Sequence, residues 1–257
     1  MREALSDMVR HVAPHFDTAI SATSKNLCKV KITGTEDSTK VEAFTDDKHL
    51  FLIANLKNPI PEFQGEFGIN SLSLLKGLLD FPSYKSEESK FKIHRQEFND
   101  FSYVSQFEFR DRNGAGTFFS TVNPKQVDEM AKIASITWDV EGSPSKAKIT
   151  EISTLSGLLS GVTKLFTLKT EETSLYMAIG NPDTSSTHAA TIHLMDEVDP
   201  KMFVGNNWFY DTPVFLAVLK TAGTTNATVK FCSRGVIGVL VETDHATYTY
   251  YLRGKVA

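Results

Sequence analysis

Phe67-Gly68-Ile69 runs into Ser71-Leu72-Ser73-Leu74-Leu75-Lys76-Gly77-Leu78-Leu79, then a polar break, then Phe91-Lys92-Ile93 and an aromatic stretch over 101–109. The same order returns further along. Trp208-Phe209-Tyr210 runs into Thr212-Pro213-Val214-Phe215-Leu216-Ala217-Val218-Leu219-Lys220, then a polar break, then Val229-Lys230-Phe231 and an aromatic stretch over 248–252. A strand-helix-strand-strand order that recurs within 257 residues reads as an internal duplication. Identity between the halves is low, so what repeats is the pattern, and two unrelated α+β domains in tandem would look the same.

Working outward, helical periodicity appears in four stretches and most of the remainder reads as short strands. In the first, Arg2–Phe16, the residues Leu5, Met8, Val9, Val12 and Phe16 share one face, with Pro14 expected to kink or end the helix early. The second covers about 71–80, capped by Asn70 or Ser71 and stopped near Pro82. The third is placed at 151–166 with Thr150 as N-cap, burying Ile152, Leu155, Leu158, Leu159, Val162, Leu165 and Phe166. The fourth follows Asp211 and Thr212, carries Pro213 in its first turn and ends before Gly223. Strands are expected at 27–33, 41–45, 50–56, 63–69, 90–95 and 101–109 in the first half. The second half offers 166–169, 174–179, 187–194, 203–209, 227–233, 236–242 and 247–252. Clean alternation in Phe91-Lys92-Ile93 and Val229-Lys230-Phe231 buries one face only, which implies antiparallel sheets covered on one side by helices. Residues 117–144 are too long for a turn and carry Val127, Met130, Ile133, Ile136 and Trp138, so they read as a connector that packs on the surface.

Composition narrows the class. With 41% hydrophobic and 23% charged residues the chain has material for a large core. Cys28 and Cys232 form no C-x-x-C pair, so neither a disulfide framework nor a thiolate metal site is expected, and a reduced cytoplasmic setting is the default. The opening residues read as a helix start and not a signal peptide, and no apolar run has the length of a membrane span. A net charge of -4 argues against an overall basic nucleic-acid wrapper but leaves room for a local basic stripe.

Two like α+β domains joined by a long connector resemble the DNA sliding clamps, the processivity factors of DNA polymerases, and in particular those of bacteriophages. The stretch Gly65-Glu66-Phe67-Gly68-Ile69-Asn70-Ser71-Leu72-Ser73-Leu74-Leu75 looks like their strand-to-helix step, and Ile136-Thr137-Trp138-Asp139-Val140 like the start of their second domain. Ala227-Thr228-Val229-Lys230-Phe231 through Tyr248-Thr249-Tyr250-Tyr251-Leu252 resembles their last three strands. The resemblance implies an N-terminal clamp domain at 1–117, a connector at 118–144 and a C-terminal clamp domain at 145–257. It further implies a head-to-tail homotrimeric ring around double-stranded DNA, held without regard to sequence, with a DNA polymerase and a clamp loader ATPase as partners. No enzymatic activity, cofactor, metal or membrane is implied, and the expected location is the cytoplasm, that of the host cell for a phage protein.

A clamp must hold DNA without gripping it, through phosphates and mobile cations instead of base edges. That architecture singles out Arg10, Lys76, Lys148, Lys164 and Lys220 as DNA-facing, with Lys164 opposite the apolar stripe of the third helix, Lys76 at the boundary of the second and Lys148 just before the third. Taken without it, lysines on polar helix faces are usually only solvated, and Glu3, Asp7 and Asp80 share these faces. A groove for partner peptides is implied beside the connector and the last strand, which points to Val122, Val127, Met130, Tyr251 and Leu252. Ordinary packing is the plainer reading of such side chains.

Catalytic patterns are missing from the sequence. It has no P-loop and no G-x-S-x-G elbow. His11 and His15 have i, i+4 spacing, but no Glu lies between them and Pro14 interrupts the helix, so solvated or phosphate-facing histidines are expected. His188 and His193 have opposite parity on an expected strand, and Asp196, Glu197 and Asp199 read as a solvated acidic turn. The rival readings are a phage tail or baseplate ring protein and a β-rich ligand-binding module, which polymerase stimulation on an encircled primer would separate from a clamp.

Overall fold

A computed structural model of the chain describes residues 1–17, 28–98, 101–130, 133–180, 188–205, 207–223 and 227–256. The chain divides into two compact units, one made of residues 1–47, 51–132 and 243–248, the other of 48–50, 133–242 and 249–257. The architecture is α+β with antiparallel sheets throughout.

In the first unit the order is α1 (Arg2–Phe16), β1 (Val30–Gly34), β2 (Thr39–Phe44), β3 (Leu50–Leu56), β4 (Gly65–Gly68), α2 (Leu72–Asp80), the single turn α3 (Pro82–Lys85), β5 (Lys90–Phe98), β6 (Phe101–Arg110) and β7 (Gly116–Ser120). The strands β4-β1-β2-β3 form one sheet and β5-β6-β7 another. The stripe on α1 is buried as expected, with Leu5, Val9 and Val12 at 0% exposure. Pro14 does not shorten the helix, which continues to Phe16. Phe16 is buried, and docking it compensates for the one hydrogen bond a proline in the last turn removes. The cap of α2 comes from neither Asn70 nor Ser71. Asp17, just past α1, accepts from the N–H groups of Leu72 at 2.7 Å and Ser73 at 3.0 Å, so a carboxylate from a distant helix end serves the positive end of α2. Phe63, Phe67 and Phe107 form the aromatic centre, with ring centroids 5.3 to 6.3 Å apart.

The start of the connector is stitched onto this unit. Cys28 N–H donates to the Gln126 carbonyl at 2.9 Å and Asp128 N–H to the Cys28 carbonyl at 2.7 Å, while Gly68 and Val122 exchange bonds of 2.9 and 2.8 Å. The approach is so close that a Cβ on Gly68 would lie 2.7 Å from Val127 and 2.9 Å from Cys28 Sγ.

The second unit runs β8 (Val140–Gly142), α4 (Lys146–Leu159), β9 (Leu165–Glu171), β10 (Ser174–Ile179), β11 (Ala190–Met195), β12 (Trp208–Asp211), α5 (Thr212–Ala222), β13 (Ala227–Cys232) and β14 (Val236–Glu242). It ends with β15 (Ala246–Arg253), whose first residues group with the first unit, and β16 (Lys255–Val256). Its sheets are β11-β10-β9-β12-β16 and β15-β14-β13-β8. Phe166 stacks on Tyr210 and meets Phe215, both at 5.3 Å, which fixes α5 over β9 and β12. Asp211 caps α5 through Val214 N–H at 3.0 Å, and Pro213 occupies the first turn.

Apart from the single turn α3 in the first unit and the short strands β8 and β16 that flank the second, each unit presents a helix, four strands, a helix and three strands in that order, the repeat legible in the sequence. Several details differ from expectation. The third helix begins at Lys146, not at 151, because Ser145 Oγ accepts from Lys148 N–H at 3.1 Å, and it stops at Leu159. Leu165 and Phe166 belong to β9, while Leu158 and Val162 stand in solvent at 76% and 46% exposure. The strand expected over 203–209 is turn up to 205 and becomes β12 only at Trp208. Residues 116–120, placed mostly in the connector, are the strand β7. Leu27 and Thr187, expected to open two strands, and residues 131–132 of the connector lie outside the described residues.

Candidate nucleic-acid interface

Helices α1 and α2 pack together in the first unit and α4 and α5 in the second, each pair leaving polar residues outward. Arg10 projects from α1 with 67% of its side chain exposed, and Asp7 Oδ1 lies 4.0 Å from its guanidinium. Lys76 on α2 is exposed and pairs with Asp80 at 3.4 Å, which also holds Lys85 at 2.9 Å. The Lys85 ammonium, then that of Lys76, draws the Asp80 carboxyl below the usual carboxylate range.

Lys148 lies inside the first turn of α4, not before it, and binds Glu151 at 2.7 Å. Lys220 on α5 reaches across to Ser153 Oγ on α4 at 3.2 Å. Lys164 is not on a helix at all. Because α4 ends early, Lys164 sits in the turn before β9, where its carbonyl accepts from Thr212 N–H at 2.9 Å and its side chain is exposed. Lys146, at the first position of α4, was hidden by the misplaced helix start, although Ser145 followed by a regular helical pattern signals it. The ammonium groups of Lys146 and Lys164 have no partner among the described residues. Exposed ion pairs are worth only about 0–1 kcal/mol, so a phosphate can displace the carboxylates that hold Lys76 and Lys148.

The expected peptide groove is divided between burial and surface. Val122 and Leu252 are 7% and 3% exposed and pack inside their own units, so as they stand they offer no surface to a partner. Val127 and Met130 line a pocket of about 280 Å³ in the first unit, whose rim carries Lys31, Glu42, Glu66 and Asp128. Tyr251 lies in the second unit, stacked on Trp138 with centroids 6.3 Å apart. A recess of about 650 Å³ in that unit, bounded by Asp139, Val204, Trp208, Ser233 and Val256, escapes the sequence reading, since it is assembled from four separate stretches of sequence.

The histidines also depart from expectation. His11 is 4% exposed and stacks on Tyr248, so it is neither solvated nor facing phosphate. Asp7 beside it is equally buried and accepts from Tyr248 OH at 2.8 Å and Thr243 Oγ1 at 2.7 Å. Burial lowers the His11 pKa, and burial together with the charge of His11 lowers His15 to about 4. His193 and Ser174 both hold Asp196, at 2.8 and 2.6 Å. No group of three or more His, Cys, Asp or Glu side chains suited to a metal ion occurs among the described residues, nor does a helix long and apolar enough to cross a membrane.

No protein-family model matches the sequence, and no curated protein matches it. Similarity to solved structures is extensive. The chain aligns with PCNA from Thermococcus kodakaraensis at a TM-score of 0.65 and 10% identity, over 99% of this chain and 97% of that one. It aligns with A. fulgidus PCNA, in a structure with the C-terminal region of FEN-1 bound, at a TM-score of 0.64 and 10% identity, over 100% and 96%. For the proliferating cellular nuclear antigen of Entamoeba histolytica the values are 0.62, 9%, 98% and 96%. The chain thus has the PCNA-type sliding-clamp fold along its whole length.

Proposed function

We propose that this fold serves here as a DNA sliding clamp, a non-enzymatic ring that encircles duplex DNA and tethers a replicative DNA polymerase. The observation that carries the reading is the helix, four-strand, helix, three-strand order occurring twice, once per unit, across the full aligned length. Domains at 1–117 and 145–257 joined by the connector 118–144 would be the repeating segments of a homotrimer loaded by an ATPase. The resemblance of residues 65–75 and 136–140 to phage clamps favours a bacteriophage type, working in the host cytoplasm. Arg10, Lys76, Lys146, Lys148, Lys164 and Lys220 are the cations proposed to meet phosphate. Their small number suits a sliding contact, since each phosphate neutralised strengthens binding and its salt dependence alike. Val127, Met130 and Tyr251 keep accessible surface for a partner peptide.

Two measurements test this. Native mass spectrometry over a wide concentration range is expected to give a species of three chains, and a strictly monomeric chain at high concentration would overturn the ring. On nicked circular DNA with a clamp loader, the protein should be retained and then released when the circle is linearised. Equal retention on both forms would mean surface binding and no encirclement.

A further inference from the structure

Unpaired cations and an exposed aromatic ring share the outward face of the three-stranded sheet β5-β6-β7. On the other face Phe91 meets Phe107 and Phe109 at 5.8 and 5.0 Å, and Tyr84 of α3 covers Phe109 at 5.6 Å. The alternate residues therefore point away from the helix side. Register sets them in three rows: Lys90 beside Arg110 and Gly116, Lys92 beside Glu108 and Phe118, and His94 beside Gln106 and Ser120.

The charge on these rows is positive. Lys90 and Lys92 are exposed, and among the described residues their ammonium groups have no hydrogen-bond or ion-pair partner. Glu108, the one carboxylate in the rows, is only 3% exposed because Arg110 and His94 close over it, with His94 Nε2 at 2.6 Å. Asp111, next after β6, turns its carboxylate into its own hairpin, accepting from Asn113 and Ala115 N–H at 2.8 and 2.9 Å. Other acids stand at the margins, Glu87 and Glu88 in the turn before β5 and Glu97 past the bulge at His94 and Arg95. In the middle row Phe118 is 54% exposed, with the His94 ring 6.0 Å away. The corresponding strands of the second unit, β13-β14-β15, differ, since Lys230 is held by Glu141 at 2.8 Å and Trp138 lies over Gly238. The patch belongs to the first unit alone and is no part of the repeat.

We propose that this face binds single-stranded nucleic acid, with Lys90, Lys92 and Arg110 on phosphates and Phe118 stacked on a base. Lys90 and Lys92, two positions apart on one strand, are spaced by about 7 Å, so one extended backbone can run past both. Arg110 gives Nε to Glu108 and keeps the remaining donors of its guanidinium for a phosphate. A duplex holds the faces of its bases inside the stack, and a run of acidic side chains offers Phe118 no planar partner. An unpaired strand satisfies the cations and the ring together. This face lies opposite α3, apart from the helix cations assigned to duplex DNA, and its binding does not depend on closure of a ring.

The test uses the full chain and fluorescence anisotropy with three probes: a short oligo-dT, an abasic strand of the same length, and a polyglutamate of the same charge. Thermal melts and native mass spectra control for folding and assembly. Lys90→Ala with Lys92→Ala should weaken both strands, and the slope of log affinity against log salt should fall by up to about 0.7 for each lysine. Phe118→Ser should weaken oligo-dT roughly fivefold or more and leave the abasic strand unchanged, while Phe118→Tyr, which keeps a ring, should bind like the parent. A parent that does not bind oligo-dT at low salt overturns the proposal, and so does a lysine double variant that binds like the parent. Equal losses on all three probes in the lysine variant, with no effect of Phe118→Ser, would make the face a general polyanion surface and overturn the assignment to unpaired strands.

Discussion

His11 stacks on Tyr248 with ring centroids 4.1 Å apart and planes 19° from parallel, while Asp7, one turn back on α1, accepts the hydrogen bond of the same tyrosine. A helix at the beginning of the chain is thereby fastened to a strand near its end. The fastening is polar and buried, so removing one partner leaves the others unsatisfied. Asp7→Asn should destabilise the protein by about 1–3 kcal/mol, read from urea melts, because a neutral amide oxygen accepts the two hydroxyls more weakly than the carboxylate Oδ2 does and a buried NH2 replaces Oδ1. An unchanged midpoint would show the network to be dispensable.

The same corner sets a pH dependence. His15 is held at about 4 and His11 is lowered, both by burial, against an unfolded value near 6.5. Between these values the unfolded chain binds more protons than the folded one, so stability is full above 6.5 and falls as the pH drops towards 4. Asp7 raises and Arg10 lowers the His11 value, which narrows its share. Melting temperature should decline across that window, and the decline should shrink in His15→Gln.

Lys146→Ala combined with Lys164→Ala should weaken DNA retention without altering the melt, since neither ammonium has a partner among the described residues to lose. The slope of log affinity against log salt should fall by up to roughly 0.9 for each phosphate contact removed per chain. A slope equal to that of the parent would place both lysines away from DNA.

Leu252→Asp and Met130→Asp should behave differently although both were read from sequence as groove residues. Leu252 is 3% exposed, and a buried unpaired carboxylate there should cost several kcal/mol and melt the fold. Met130 lines an open pocket, so its variant should stay folded and lose only partner binding.

Gly238→Ala should destabilise by about 1–3 kcal/mol, because the added Cβ would lie 2.6 Å from the Trp138 ring. Pairing it with Trp138→Leu should restore part of the loss in denaturant titrations, and a double variant no better than the single would assign the cost elsewhere.

Much of this architecture is legible from local pattern. The stripes on α1 and α5, their punctuation by Pro213 and Gly223, and most strands follow from short-range periodicity. What escapes is set by contacts distant in sequence or by competing local signals. Asp17 caps α2 across 55 residues, which no window detects. The apolar run from Leu155 to Phe166 continues a helical stripe on paper, yet the chain changes from helix to strand inside it. There Ser145 sets the start, and Gly157 and Gly161 weaken the continuation. The strand β7 was foreshadowed by Asn113-Gly114, a hairpin signal, but its short length let the connector absorb it. The cations were readable as residue types, while their places depended on the helix boundaries, so Lys164 and Lys146 changed standing together.

The stitching of the connector also has a mechanical side. Four main-chain hydrogen bonds join Cys28 and Gly68 to residues 122–128, and a side chain on Gly68 would wedge them apart. A pull on the chain beyond Asp128 meets this short ladder, at the end of β4, before it reaches β1 or the rest of β4. Resistance to traction at that point resides in the main chain and in the lack of a side chain at Gly68, so load is borne there even as surface residues around it change.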